Sequence, residues 1–319
     1  MTTQREARAT EIAVAIPCYN EAITVAKVVG DFRRALPEAT IHVFDNNSTD
    51  RTGEAAARAG AIVHFVSVRG KGEAVRAIFR ELDADVIVMA DGDSTYEAGR
   101  VHELIAPVIA REAEMTVATR LRQAGPENFR TFHVFGNRLV LRAINTLFGT
   151  NLSDVLSGYR AFSRRFVKTM PVLSRGFEVE TEITLHALEH RQPIVEVPLP
   201  YGARPEGSAS KLNTLQDGRR VLTTLFQLYK DYRPLMFFGI PGAILLAAGI
   251  FAGVLVVGEF IDAGKVAGIA RVVFAVSCCL LGTVALATGL ILDTVNRRAR
   301  ELYVMLADHV VGVGERPRA

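Results

Sequence analysis

Short apolar runs and amphipathic stretches alternate along the first ninety residues of the chain. The apolar runs predict four buried strands, at residues 12–16, 41–44, 61–66 and 86–90. The amphipathic stretches between them predict three helices, at residues 22–36, 50–59 and 72–82. Strands separated by one helix each require right-handed crossovers, so this order predicts an α/β fold with a mostly parallel sheet.

Polar residues follow each of the four predicted strands. They run from Pro17 to Glu21 with Tyr19 and Asn20 between them, from Asp45 to Asp50, from Arg69 to Gly72, and from Asp91 to Asp93. Because ligands of parallel sheets bind at the carboxyl ends of the strands, we expect these four segments to form one site.

Asp91 and Asp93 are the most specific pair in this set. They place two carboxylates, one residue apart, at the end of a buried strand. Hard oxygen ligands suit Mg²⁺ or Mn²⁺, which also bridge diphosphate oxygens. The pair therefore favours an enzyme that handles a nucleotide diphosphate. The alternative is a solvated Asp-Gly-Asp turn.

The other strand ends offer further contacts to a nucleotide. Asp45 can accept from a base N–H or a ribose hydroxyl, Asn20 and Glu21 can hold the ribose, and Lys71 can reach a phosphate. Structural roles compete with these assignments: a helix cap at residues 48–50, a plain turn at residues 70–72, and a helix-terminal charge at Glu21. The chain has neither a G-x-G-x-x-G nor a G-x-x-x-x-G-K-[ST] pattern, which argues against dinucleotide redox chemistry and P-loop hydrolysis.

The composition indicates that part of the chain lies in a membrane. The chain is 49% hydrophobic with a mean hydropathy of +0.21, and the excess lies near its C-terminal end. Residues 235–258 and 272–292 carry no charge, and each run is long enough to cross a bilayer. Two buried helices of a soluble core are the alternative.

Charged flanks predict the orientation of these spans. Basic residues precede the first span and follow the second, at Lys230, Arg233, Arg297, Arg298 and Arg300, which predicts cytoplasmic flanks and a cytoplasmic catalytic domain at the plasma (inner) membrane. Residues 1–10 lack an apolar segment, so no signal peptide is expected. The three cysteines suggest neither a disulfide framework nor a metal site, and a net charge of +3 is too small to indicate a nucleic acid partner.

The spans divide the chain into four expected parts. They are a catalytic domain at residues 1–211, an amphipathic interfacial helix at 212–233, a two-helix transmembrane hairpin at 234–295 and a cytoplasmic tail at 296–319. The interfacial helix is suggested by an apolar stripe at Leu215, Leu222, Phe226 and Tyr229, although a plain core helix shows the same pattern.

Taken together, the motifs resemble the family 2 glycosyltransferases with the GT-A fold. They are Ile16 to Glu21, Asp45 to Asp50, Gly70-Lys71-Gly72 and Asp91-Gly92-Asp93, followed by Asp154 to Arg160, Gly176 to Glu182 and Arg204 to Lys211. The later motifs are similar to those of the polyprenyl-phosphate branch, which includes dolichol-phosphate mannose synthases and bactoprenol glucosyltransferases. The resemblance runs from about residue 12 to about residue 296.

This resemblance implies an inverting transfer of a hexose from a nucleotide-diphosphate sugar to undecaprenyl or dolichyl phosphate, with Mg²⁺ or Mn²⁺ on Asp91 and Asp93. It implies that Arg120 and Arg130 bind the acceptor phosphate, with a solvated arginine-rich loop as the alternative. Asp154 then orients the acceptor or acts as a base, with helix capping or arginine pairing as alternatives. Arg204 and Lys211 would lie in a loop that closes over the diphosphate, and a plain linker is the alternative.

The chain departs from the family pattern at two places. The usual Asp-Asp-Gly-Ser is Asp45-Asn46-Asn47-Ser48 here, and Ser94-Thr95 follows the aspartate pair. The two spans favour a UDP-hexose donor, with GDP-mannose next. Two other functions stay open, a processive polysaccharide synthase and a non-catalytic membrane scaffold that binds nucleotide sugar. Homo-oligomer formation is also left open.

Overall fold

The computed structural model describes residues 10–121, 131–176, 178–202, 223, 226–265 and 268–314. Its strands are β1 (Ile12–Cys18), β2 (Thr40–Asp45), β3 (Ile62–Phe65), β4 (Val86–Met89), β5 (Met115–Leu121), β6 (Arg160–Ser163) and β7 (Ile194–Pro200). Its helices are α1 (Val25–Ala35), α2 (Thr52–Arg58), α3 (Lys71–Glu81), α4 (Val101–Ile109), α5 (Thr131–Phe148), α6 (Arg164–Thr169), α7 (Val179–Glu189), α8 (Pro234–Ala263) and α9 (Ile269–Gly314).

The seven strands form one sheet in the order β3-β2-β1-β4-β6-β5-β7. Every neighbouring pair is parallel except those of β6, which runs antiparallel to β4 and to β5. This confirms the predicted mostly parallel α/β sheet. The predicted strands also agree in position, and none of their ends is shifted by more than two residues.

Side chains alternate between the two faces of the sheet, as period-2 geometry requires. In β1, Val14 and Ile16 belong to one buried cluster, whereas Ala13 and Ala15 belong to another on the opposite face. Both faces are therefore covered, and β1 is buried along its whole length. Burial on both faces explains why β1 and β4 appear in the sequence as continuous apolar runs.

Helix α1 begins three residues later than predicted. The Glu21 N–H donates to Thr52 Oγ1 at 2.9 Å, and the Ala22 N–H donates to an Asp50 carboxylate oxygen at 3.1 Å. These bonds hold residues 21 and 22 in a turn against the loop after β2. The helix consequently starts only at Val25.

The chain divides into two compact units. One comprises Met1–Thr131, Phe148–Leu212 and Ala307–Ala319 and contains the sheet; the other comprises Phe132–Leu147 and Asn213–Leu306. In the second unit the guanidinium of Arg233 donates to the Leu147 carbonyl at 2.7 Å, which joins α5 to the residue before α8.

The second unit contains two helices long and apolar enough to cross a membrane, Pro234–Ala263 and Ile269–Met305. In the most apolar stretch of each helix, only 11% of the first and 17% of the second is buried. Neither helix therefore resembles the core helix of a soluble domain. Glycines allow the two helices to approach closely: a Cβ on Gly282 would lie 2.7 Å from the Gly242 carbonyl oxygen.

Most of the predicted interfacial helix, residues 203–222 and 224–225, lies outside the described residues. Residues 226–232 are helical, with Phe226 56% exposed and Leu228 buried. The apolar stripe at Leu215 and Leu222 stays a prediction.

Candidate functional site

The predicted polar strand ends converge around the thiol of Cys18, the last residue of β1. Burial raises the pKa of this thiol, and the negative charges of Glu21, Asp45, Asp91 and Asp93 raise it further. Four carboxylates from three strand ends thus lie within electrostatic reach of one sulfur atom. This is the convergence that the parallel sheet predicted.

The loop after β1 is tied to the loop after β2 through Asn20. Its side-chain oxygen accepts from the Thr49 N–H at 2.8 Å, and its own N–H donates to Ser48 Oγ at 3.0 Å. Asn20 has a left-handed backbone with φ of 54°, which asparagine tolerates better than most residues. Its side chain is engaged in joining the two loops, so its contact with a ribose stays a prediction.

Pro17 and Tyr19 line the same strand end. Pro17 is buried and pairs with Phe44 in the sheet, so it supports the loop from below. The half-buried ring of Tyr19 lies 5.2 Å from the guanidinium carbon of Arg69. This cation–π contact links the loop after β1 to the loop after β3.

Asp45 ends β2 half-buried, and its carboxylate accepts from the Ser48 N–H at 3.0 Å. The next residue, Asn46, is buried and clamps the loop after β3: it donates to the Val68 carbonyl at 2.6 Å and accepts from the Gly70 N–H at 2.7 Å. The departure from the family pattern at this position therefore has a structural role, which sequence reasoning missed.

The glycines on either side of Lys71 permit a close backbone contact. A Cβ on Gly70 would lie 2.1 Å from the Arg175 carbonyl oxygen, and one on Gly72 would lie 2.0 Å from that of Ser174. Gly70 also has a φ of 138°, which side chains rarely adopt. Only glycine fits at either position, and the contact fixes Lys71 at the start of α3.

Lys71 is held between two carboxylates. Its Nζ lies 2.6 Å from Asp91 Oδ1 and 2.5 Å from Glu180 Oε1, a buried carboxylate of α7. Burial lowers the pKa of Lys71, but the charges of Asp91 and Glu180 outweigh it and hold the pKa above its ordinary value. Glu180 stands in the Gly176 to Glu182 motif, yet the sequence alone did not single it out as a site residue.

Asp91 and Asp93 have different surroundings. Asp91 is partly exposed, and its other neighbour is Gly158, where a Cβ would lie 2.5 Å from Asp91 Oδ2. Asp93 is buried and accepts from Thr95 Oγ1 at 2.6 Å and from the Thr95 N–H at 3.2 Å. Asp91 therefore lies partly exposed and paired with Lys71, whereas Asp93 is buried and fixed by Thr95.

The two aspartates fit a divalent cation that also binds a diphosphate. Mg²⁺ in nucleotide sites commonly takes one or two carboxylates and fills its other positions with waters and phosphate oxygens. Among the described residues, no group of three His, Cys, Asp or Glu side chains is arranged to hold a metal by itself. The chemistry of the two carboxylates suits the cation, and a diphosphate would have to supply further ligands.

A second charged cluster lies at the end of β5. Arg120 makes a bidentate pair with Asp154, with Nε to Oδ2 at 2.7 Å and Nη2 to Oδ1 at 3.0 Å. Burial lowers the pKa of Arg120, but its hydrogen bonds to Asp154 outweigh this and raise it. Of the roles left open for Asp154, the structure displays arginine pairing.

Two residues that the sequence did not reveal hold this cluster. Glu196 of β7 accepts from the Ser153 N–H at 2.8 Å and the Asp154 N–H at 3.0 Å. Arg160 is fully buried and donates to the carbonyls of Val155 and Ser157, each at 2.8 Å. Glu196 lies 42 residues from Asp154, so no local pattern could reveal the contact.

Arg130, Arg204 and Lys211 lie outside the described residues. Their contacts with the acceptor phosphate and with the diphosphate stay predictions.

Comparison with known proteins agrees with this geometry. Residues 13–170 match Glycosyl transferase family 2. The glycosyltransferase AglJ of Haloferax volcanii is 33% identical over 86% of this chain and 92% of its own length. The undecaprenyl-phosphate mannosyltransferase of Micrococcus luteus is 28% identical over 61% of this chain and 84% of its own.

A solved structure shares the fold. Glucosyl-3-phosphoglycerate synthase from Mycobacterium tuberculosis, in complex with Mn²⁺, UDP-glucose and phosphoglyceric acid, superposes with a TM-score of 0.57 at 25% identity, over 69% of this chain and 79% of that one. The fold of the sheet and the names of these relatives indicate the same family. The chain belongs to glycosyl transferase family 2 and is a glycosyltransferase with a GT-A fold.

Proposed function

We propose that this protein transfers a hexose from a nucleotide-diphosphate sugar to a polyprenyl phosphate, with inversion at the anomeric carbon. A phosphate oxygen of the lipid attacks the anomeric carbon, the bond from that carbon to the diphosphate oxygen breaks, and the nucleoside diphosphate leaves with the electron pair. The lipid phosphate is already largely anionic at neutral pH, since its second pKa is about 6, so it needs no strong base.

One observation carries this proposal: two separate cations lie at one edge of the sheet. Lys71 is bound to Asp91 and Glu180, and Arg120 is bound to Asp154. A transfer between two phosphate-containing substrates needs such a pair, one cation for the leaving diphosphate and one for the attacking phosphate. We assign Lys71 to the donor and Arg120 to the acceptor.

Asp91 and Asp93 would hold Mg²⁺ or Mn²⁺, which when bound offsets the charge that develops on the leaving diphosphate. Asp45, at the end of β2, would accept from the base or ribose. Glycosyltransferase relatives named for undecaprenyl and dolichyl phosphates support the acceptor, and the exposed apolar helices α8 and α9 support a membrane-bound enzyme. We favour a UDP-hexose donor, with GDP-mannose as the next choice.

The orientation proposed for the enzyme follows from its charged flanks. With the basic residues around Arg233 and Arg297 in the cytoplasm, the connection after Ala263 would lie on the far side of the inner membrane. An Ala263→Cys variant should then react with an impermeant thiol reagent in intact cells, with Cys18, Cys278 and Cys279 replaced beforehand. If this variant is labelled only after the cells are permeabilised, the proposed orientation is wrong.

A donor panel tests the function. The purified protein is incubated with UDP-glucose, UDP-galactose, UDP-N-acetylglucosamine or GDP-mannose, each with undecaprenyl phosphate, dolichyl phosphate or the water-soluble 3-phosphoglycerate. We expect a glycolipid with inverted anomeric configuration from one donor and a lipid acceptor. Transfer only to 3-phosphoglycerate would assign a soluble acceptor, growth of a polymer would indicate a processive synthase, and nucleotide-sugar binding without transfer would indicate a scaffold.

A further inference from the structure

One loop, residues 154–158, touches both charged clusters of the site. Its first residue, Asp154, pairs with Arg120. Its last residue, Gly158, lies so close to Asp91 that a Cβ there would come within 2.5 Å of Oδ2. The loop therefore contacts Asp91 at one end and binds Arg120 at the other.

The hydroxyl of Tyr96 holds this loop in place. It accepts a hydrogen bond from the Gly158 N–H at 3.0 Å. Burial and then the negative charge of Asp91 raise the pKa of Tyr96, so the phenol keeps its proton. Because Tyr96 follows Asp93 by three residues, the bond joins the loop to the strand end that carries both aspartates.

Tyr96 is itself anchored from the other side. The Gly202 N–H donates to the Thr95 carbonyl at 2.8 Å, and the ring of Tyr96 meets that of Tyr201 edge-on at 5.3 Å. The guanidinium carbon of Arg120 lies 5.7 Å from the centroid of the same Tyr201 ring. Tyr96 thus connects the aspartate loop, the 154–158 loop and the segment after β7.

We propose that Tyr96 is a positioning residue whose hydroxyl fixes the distance between Asp91 and Arg120. The distance matters because an in-line attack requires the acceptor phosphate and the anomeric carbon to be held in register, and displacements of about 1 Å can cost about a hundredfold in rate. This inference rests on the proposed function, in which Asp91 serves the donor and Arg120 the acceptor.

The neighbouring Tyr159 offers a matched control. Its ring centroid lies 5.0 Å from that of Tyr96, it is fully buried, and its hydroxyl has no hydrogen-bond partner among the residues that the structure describes. Tyr96→Phe and Tyr159→Phe each remove one phenolic oxygen atom, from two rings that lie side by side. Only the first removes a hydrogen bond to the loop.

The experiment compares both variants with the wild type in transfer kinetics, in calorimetric binding of the nucleoside diphosphate with Mn²⁺, and in amide hydrogen exchange of the peptide spanning residues 154–160. For Tyr96→Phe we expect kcat to fall by about tenfold to a hundredfold, diphosphate affinity to stay within about twofold, and exchange at Gly158 to accelerate. Tyr159→Phe should behave like the wild type in all three measurements.

Wild-type kcat or unchanged exchange in Tyr96→Phe would overturn the inference, and so would an equal loss in both variants, which would indicate a general packing effect. Failure of the proposed function has a different signature, because the wild type itself would then transfer no sugar to a polyprenyl phosphate. Hydrogen exchange still decides in that case whether Tyr96 holds the loop.

Discussion

The site has two halves that hold their cations in different ways. The half proposed to bind the donor, called the donor half, is formed by Asp45, Lys71, Asp91, Asp93 and Glu180, and in it one ammonium is shared between Asp91, which follows β4, and Glu180 of α7. The half proposed to bind the acceptor, called the acceptor half, is formed by Arg120, Asp154 and Glu196, and in it a planar guanidinium is fixed by two parallel hydrogen bonds to one carboxylate.

The difference follows from the chemistry of the two side chains. An ammonium is a compact charge whose donors rotate, so Lys71 can exchange one oxygen partner for another when a diphosphate arrives. A guanidinium fork has a fixed direction, and the pair with Asp154 uses Nε and Nη2 of Arg120, which leaves Nη1 outside the pair. We infer that the donor half rearranges on binding, whereas the acceptor half is set beforehand.

The largest expected effect is in the donor half. Asp91→Asn removes a carboxylate from the proposed metal site and from Lys71, so transfer should fall by roughly a hundredfold to a thousandfold. EDTA should abolish transfer by the wild type, and added Mn²⁺ should restore it. Both effects are measured as release of nucleoside diphosphate in the presence of polyprenyl phosphate.

Asp83→Asn is the control for this variant, because Asp83 pairs with Arg164 on the surface away from the site. It should retain wild-type transfer. Full activity of Asp91→Asn, or of the wild type in EDTA, would rule out the metal role of this half.

The acceptor half should respond separately. Arg120→Ala removes a charge-assisted phosphate contact worth about 1.5–3 kcal/mol, so kcat/KM for polyprenyl phosphate should fall about tenfold to a hundredfold. Arg120→Lys keeps the charge but loses the fork, and it should fall between the wild type and Arg120→Ala. Calorimetric affinity for the nucleotide sugar should hardly change in either variant.

Arg164→Ala provides a matched control, since Arg164 makes the same bidentate contact with Asp83, at 2.6 and 3.1 Å. It should leave acceptor use unchanged. Loss of donor binding in Arg120→Ala with an unaltered acceptor constant would show that the two halves have been assigned the wrong way round.

The sequence predicts one part of the site better than the rest. Asp45, Lys71, Asp91 and Asp93 stand at or soon after the ends of parallel strands, and parallel topology brings such positions together, so their convergence could be predicted. Glu180 of the donor half, Glu196 of the acceptor half and Tyr96 act through contacts with residues far away along the chain, 42 residues for Glu196 and 62 for Tyr96, which no periodicity encodes.

The antiparallel insertion of β6 explains part of this difference. Because β6 runs between β4 and β5, it brings the 154–158 loop, which precedes it, to the end of the parallel strands. The apolar patterns of the first four strands do not reveal such an insertion. An aromatic residue three positions after Asp93 is a local signal for Tyr96.

The smallest expected effect concerns pH and again distinguishes the halves. His42 lies on β2 of the donor half, and burial, followed by the charge of its neighbour His64, lowers its pKa from 6.5 to about 4. Between these values the native state binds fewer protons than the unfolded state. The contribution of the neutral His42 to the free energy of unfolding is therefore fully present above pH 6.5, and it is lost as the pH falls towards 4.

Thermal unfolding at pH 7 and pH 4.5 measures this effect. The wild type should lose stability on acidification, and His42→Val should lose less because it removes one group that must be neutral in the native state. Part of the loss should remain, since burial and the charge of His190 lower the pKa of His186, on the helix that carries Glu180, to about 3.

His102→Gln, at a surface position of α4, should match the wild type. The strands of the acceptor half, β5, β6 and β7, contain no histidine, so protection against hydrogen exchange, taken relative to the intrinsic exchange rate at each pH, should fall at pH 4.5 in β2 and β3 before it falls in those strands. An equal loss of protection in all of them would show that acid acts on the sheet as a whole and not on the donor half.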